Sequence, residues 1–262
     1  LSRIAFTIVY EGLHHLKHKN FAEKMAKMFD AWIVVEGYSL PYGSTNWCKK
    51  LDVPANSQDG TIEFMQAFAR VHSNVYFYSA TNFYSGKDDQ VNVVIDILKK
   101  IAPFDKRQGK EIFLWEVDVD EHWSEFDIQT AENIARKSTA IGFSFPFNHY
   151  VGEGLIAKGT WGSGYLNRLW KWQGQLFKSH EPALLVGQRK VEPIDVVRFE
   201  HYSYYFEKDV KFKSLSYSGH EQVYQNWLKL KEQKEFPLHI SFLFGKDSQI
   251  GKSKSFIHKI AA

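Results

Sequence analysis

Glu116, Asp118 and Asp120 stand at alternate positions at the end of the run Ile112-Phe-Leu-Trp-Glu-Val-Asp118-Val-Asp120-Glu121. Alternate residues of an extended chain point to the same side, so Asp118 and Asp120 can present their oxygens to one point in space. Carboxylates that close repel one another unless a cation lies between them, and hard oxygen ligands suit Mg²⁺ or Mn²⁺. Such an ion bridges the oxygens of a diphosphate and neutralises charge on a phosphate leaving group. The same acids would also serve to cap the next helix or to line a solvated loop; their place at the end of a strand is what favours the metal. A calcium loop of the EF-hand type is excluded, because Glu121 and His122 follow where that loop needs Gly.

The elements that must hold these acids can be read from hydrophobic periodicity. Apolar, β-rich runs at residues 4–10, 31–35, 75–78 and 112–117 predict four strands. Between them, Phe21, Met25 and Met28 predict a helix within 17–29. A second helix starts at Asp59 as N-cap and carries Ile62, Met65, Phe68 and Ala69. A third, over 89–101, carries Val91, Val94, Ile95 and Leu98, with Pro103 helping to end it. Strands alternating with helices argue for an α/β domain with a parallel sheet, whose ligands bind outside the carboxyl ends of the strands. After about residue 147 the chain turns Gly- and Trp-rich, with helical patterns at 207–215 and 221–231 and a Lys/Ser/Gly tail from Gly245 that is expected to be loosely held.

Composition removes several function classes. The balance of 33 Lys+Arg against 30 Asp+Glu in 262 residues is too even for binding nucleic acid mainly through its phosphates. A single cysteine, Cys48, rules out an intrachain disulfide framework and a cysteine-built zinc site. The longest apolar runs, such as 140–147, fall short of the roughly 20 residues of a membrane helix, so no span is expected. The opening residues carry no charged leader, so a cytoplasmic location is expected, with an upstream targeting segment left open. The aromatic content, 16%, would serve either to stack against sugar rings or to fill a core.

Several segments in order resemble the GT-A glycosyltransferases, especially those related to family 2. They are Phe29-Asp-Ala-Trp-Ile-Val-Val-Glu-Gly37, Ser57-Gln-Asp-Gly-Thr61, Leu114-Trp-Glu-Val-Asp-Val-Asp-Glu121, Arg168-Leu-Trp-Lys-Trp172, His180-Glu181, and His201-Tyr-Ser-Tyr-Tyr with Lys213. The resemblance implies a nucleotide-diphospho-sugar transferase fold, α/β with a mostly parallel central sheet flanked by helices and a C-terminal helical extension. It divides the chain into a domain over 1–232, with a nucleotide-sugar half (1–122) and an acceptor half (123–232), and an extension over 233–262. It implies metal-dependent transfer, with Mn²⁺ or Mg²⁺, from a nucleotide-diphosphate sugar to a hydroxyl of a glycan or glycoconjugate, with inversion. The chain departs from the pattern in Thr7-Ile-Val-Tyr-Glu11, where an Asn-Glu turn is usual. It departs again in Lys87-Asp-Asp-Gln-Val-Asn92, where Arg-Asn is common, and in a possible insertion at 46–56.

Residue by residue, the resemblance gives Asp118 and Asp120 to the metal and diphosphate, and His201 to a third metal position or a phosphate contact. Thr7, Val9 and Glu36 would form the donor floor, and Asn92 maps to the donor-facing helix. Glu181 would be the general base, with Glu153 between two glycines as the alternative. Each has a plainer reading: Glu36 as a surface acid, Gly37 as a turn residue, Glu181 as a cap before Pro182, His201 as a packed core histidine. Trp161, Trp170 and Trp172 would line an acceptor groove or fill the core. His14, His15 and His18 read as a solvated face, since neighbouring lysines would repel a cation. A non-catalytic carbohydrate-binding relative is the rival reading; a two-metal phosphoesterase would need more His and Asp ligands than the sequence offers.

Overall fold

The computed structural model describes residues 2–103, 111–159, 164–174, 191–230, 232–233, 235, 238–239 and 248–252. The four strands expected in the first half are present as β1 (Arg3–Val9), β2 (Ala31–Glu36), β3 (Val75–Ser79) and β4 (Phe113–Glu116). They lie in the order β3-β2-β1-β4 and all pair in parallel. Every residue of β2 is buried, as a strand covered on both faces requires.

Alternation assigns the two faces. Ala5, Trp32, Val34, Phe113 and Trp115 enter one apolar cluster, while Ile4, Phe6, Ile33, Val35 and Leu114 enter the other. The first cluster is covered by α2 (Phe21–Met28), α3 (Thr61–Val71) and α5 (Glu125–Lys137), and the second by α4 (Lys87–Ile101). Full burial of a side chain such as Phe6 or Ile33, both 0% exposed, contributes about 1.5–3 kcal/mol.

Local chemistry moves some boundaries. The helix expected within 17–29 is α2, and a further short helix, α1 (Leu13–Lys17), precedes it, the two parted where Lys19 (φ 48°) and Asn20 (φ 59°) turn left-handed. Asp59 is not the N-cap of α3. That place belongs to left-handed Gly60, and Asp59 accepts instead from the Thr61 amide (3.1 Å) and hydroxyl (2.6 Å).

The second half continues the sheet in antiparallel sense. β8 (Tyr165–Lys171) pairs with β4, then follow β6 (Gly142–Gly152), β7 (Leu155–Gly159), β12 (Ser248–Lys252) and β11 (Leu238–His239). The sheet is therefore mixed, with an all-parallel first half and a largely antiparallel second half. The expected C-terminal helices are α6 (Glu207–Ser216) and α7 (Val223–Leu230). Beyond them the described residues are strand, not helix: Ser248–Lys252 pairs with β7 through five residues, so this part of the tail is held. A side ribbon completes the frame. β10 (Phe199–His201) pairs antiparallel with β5 (Glu121–His122) and parallel with β6, which carries His201 across to the acidic segment. No helix among the described residues is long and apolar enough to cross a membrane.

Candidate active site

A cavity of about 320 Å³ opens at the carboxyl ends of β1 and β2, beside the segment that follows β4. Asp118, Asp120, Lys87 and Lys213 line it, with Tyr10 and Tyr38 among its aromatic walls. β4 ends at Glu116, so the two aspartates sit on a turn closed by the Glu121 amide donating to Asp118 O (2.9 Å), not on the strand itself. The turn, in place of strand alternation, aims both at the cavity.

The two acids have different surroundings. Asp118 Oδ2 accepts from the Arg168 guanidinium at 2.8 Å, and the same guanidinium grips Glu121 through three contacts of 2.7–3.1 Å. Burial pushes the Asp118 carboxyl up, but Arg168 and then Lys87 overcome it and hold it below its ordinary value. Asp120 Oδ2 faces His201 Nε2 and Lys213 Nζ, each at 3.6 Å. Here too burial acts upward, and His201 followed by Lys213 brings the carboxyl well below its ordinary range. Lys213, in turn, would lose its proton more readily through burial alone, but Asp120 raises it; its ammonium also donates to Ser203 O (2.6 Å) and Oγ (2.5 Å).

Asp120 decides whether a divalent cation fits. Its oxygen and the His201 nitrogen face one another at 3.6 Å, beyond a hydrogen bond and close to the spacing of two ligands on one ion. A carboxylate with an imidazole suits Mn²⁺ ahead of Mg²⁺. These are the two residues that could hold such an ion, with the Lys213 ammonium also 3.6 Å from the same Asp120 oxygen. Asp118, with an oxygen on Arg168, contributes charge to the site more readily than a ligand bond.

Other sequence candidates fall elsewhere. Thr7 is fully buried, its hydroxyl donating to Val117 O (2.7 Å) and accepting from Trp32 Nε1 (2.9 Å), and Val9 is core; neither lines the cavity. Glu36 is neither a surface acid nor a donor contact. Fully buried, it accepts from the Ser57 amide (2.7 Å), Ser79 Oγ (2.6 Å) and Asn56 Nδ2 (3.1 Å), anchoring the loop behind the cavity. Gly37 is the turn residue: at φ 136° a Cβ there would stand 2.8 Å from Tyr84 Cε2. Asn92 is on α4, but the cavity takes Lys87 and Gln90 from that helix instead. Glu153 is exposed on the β6–β7 turn and lines a separate cavity with Tyr205, Phe206 and Trp227. Trp170 and Trp172 are core residues, each 2% exposed. Glu181 and Trp161 lie outside the described residues.

Sequence reading missed Lys87 and the aromatic wall. Lys87 opens α4, and a basic residue in a helix's first turn opposes the helix dipole, which is a signal that something else holds it there. Burial would lower its pKa, yet Asp118 and Glu116 raise it. Tyr10 packs its ring 5.2 Å from Tyr38 and 6.2 Å from Phe212, and Trp47 lies 4.7 Å from Tyr217 at the same cavity.

No family model matches the chain, and no curated protein matches it. Among solved structures, that of TarS 1-349 from S. aureus is similar at a TM-score of 0.36 and 15% identity, covering 58% of this chain and 36% of that one. A second TarS structure is similar at 0.36 and 13%, covering 58% of this chain and 22% of that one. The chain thus spans well under half the length of either.

Proposed function

We propose that this chain is a glycosyltransferase that binds a nucleotide-diphosphate sugar in the cavity of Asp118 and Asp120 and passes the sugar to a hydroxyl of a glycan or glycoconjugate, with inversion. One observation carries the reading: the two aspartates face a single cavity at the carboxyl ends of parallel strands, interleaved with two lysines and walled by aromatic rings. Acids and lysines suit a diphosphate, and aromatic rings suit a base.

Lys87 and Lys213 offer ammonium protons to phosphate oxygens. Tyr10, Tyr38 and Phe212 give the base an apolar floor. Asp118, fixed by Arg168, keeps an oxygen to accept from sugar or ribose hydroxyls. Asp120 and His201 would hold the divalent cation, Mn²⁺ ahead of Mg²⁺, which when bound supplies charge neutralisation to the departing nucleoside diphosphate. The acceptor's proton falls to a carboxylate, Glu181 first and Glu153 second.

The rival, a carbohydrate-binding relative without catalysis, has no use for two half-buried lysines beside two aspartates. A thermal-shift screen of UDP-, GDP-, dTDP- and CDP-sugars, with and without Mn²⁺, separates the two. A ligand at about 100 Kd stabilises by about 2.7 kcal/mol, enough to see. The glycosyltransferase reading expects a shift with one nucleotide that grows with Mn²⁺; a shift with free glycans and none with nucleotides supports the rival.

A further inference from the structure

His14, His15 and Asp209 bring three ligand atoms within 4.8 Å of one another. Asp209, in the first turn of α6, takes His14 Nε2 at 2.9 and 3.1 Å on its two oxygens and His15 Nε2 at 2.7 Å on one of them. The imidazoles come from α1, so the cluster joins two helices far apart in sequence. His15 is 3% exposed, and it lines the main cavity together with Asp209. His14 opens on a separate shallow cavity with Leu13 and Lys17. This is not the solvated face that the sequence suggests.

The lysines that should repel a cation are engaged elsewhere. Lys17 lies over the Phe64 ring, Lys19 is held by Glu200 and Tyr202, and Lys208 is shared between Asp59 (2.8 Å) and Glu11 (3.0 Å). Lys208 therefore faces two carboxylates of its own and does not answer the charge of Asp209. The Nδ1 atoms of His14 and His15 are buried without a hydrogen-bond partner, so Nε2 is the one polar contact of each ring. Two imidazole nitrogens and one carboxylate aimed at one point, with a cavity on either side for water, is the donor set of a three-ligand zinc site with an open fourth position.

We propose that His14, His15 and Asp209 bind a divalent transition ion of borderline softness, with Zn²⁺ as the probe, separately from the Asp120–His201 position. Two imidazole ligands favour Zn²⁺ over Mg²⁺ and Mn²⁺ here. The ion fastens α1 to α6 at the wall of the donor cavity. Each imidazole nitrogen, now within hydrogen-bond distance of an Asp209 oxygen, moves apart from it by roughly half an ångström to reach bonds of about 2.0–2.1 Å to the ion.

The test uses the full chain stripped of metal with a chelator. In an Asp120→Ala/His201→Ala background, which removes the other position, Zn²⁺ titration should give one equivalent bound. Adding His14→Ala should weaken that binding about 100-fold or more. Asp209→Asn serves as the second variant should His14→Ala fail to fold. Co²⁺ added to the unmutated chain should give the intense visible bands of a four- or five-coordinate site. No Zn²⁺ bound in the double-variant background, equal affinity with and without His14, or only the weak bands of octahedral Co²⁺ would each overturn the proposal. None of these measurements involves nucleotide, so failure here leaves the glycosyltransferase reading standing, and failure of that reading leaves the zinc site standing.

Discussion

At the scale of single residues, Arg168 carries more of the site than either aspartate. It is 8% exposed and answers Glu121, which is 0% exposed, as well as Asp118. Removing one partner of a buried pair leaves an uncompensated charge, at a cost of about 3–5 kcal/mol, whereas replacing both by apolar residues of like volume is near neutral. Arg168→Ala should therefore lose about that much in urea unfolding, and Arg168→Met with Glu121→Leu should regain only part of it, since Asp118 and Glu116 lose the same guanidinium. A single-variant loss below about 1 kcal/mol, the range of an exposed pair, would contradict this account. Asp118 and Asp120 were legible because clustered acids after an apolar run are a local signal. Thr7 and Glu36 were misread because what they touch is decided by Val117 and by Asn56, Ser57 and Ser79, partners that no local pattern announces.

At the scale of elements, the break between α1 and α2 sets up a pH response. His18, at that break, meets His122 of β5 at 5.3 Å and Tyr202 at 5.0 Å between ring centres. Burial, followed by Lys19, lowers His18 from 6.5 to about 4; burial, followed by His18 and Lys19, lowers His122 from 6.5 to about 3. The unfolded chain binds protons below about pH 6.5 that the folded chain refuses. Stability is thus complete above 6.5 and falls as pH drops toward 4. The urea midpoint should decline from pH 7 to about 4.5, and His122→Phe should flatten that decline. An unaltered slope in His122→Phe would show that the imidazole is not the group responsible. Asp209, held by its two histidines at about 2, responds in a lower window. Periodicity revealed the apolar face of α2, but it revealed neither α1 nor the left-handed Lys19 and Asn20.

At the scale of the whole molecule, the parallel half of the sheet was legible and the antiparallel half was not. Each strand of the first half is a short apolar run set off by an amphipathic helix, a pattern contained within roughly thirty to fifty residues. In the second half β6 shifts register between Phe143 and Ser144, so alternation is interrupted where it would be read. What the two halves build together is the main cavity: acids from the β4 end, Lys213 and Phe212 from α6, Lys87 from α4. Isothermal titration of the nucleoside diphosphate that stabilises the chain tests that joint construction most directly, comparing the unmutated chain with Asp120→Ala, each in Mn²⁺ and in chelator. One site should bind in Mn²⁺ and weaken at least about tenfold, or 1.4 kcal/mol, in chelator, and Asp120→Ala should show the weak binding under both conditions. Nucleotide binding by Asp120→Ala with its Mn²⁺ dependence intact would contradict the assignment of this cavity.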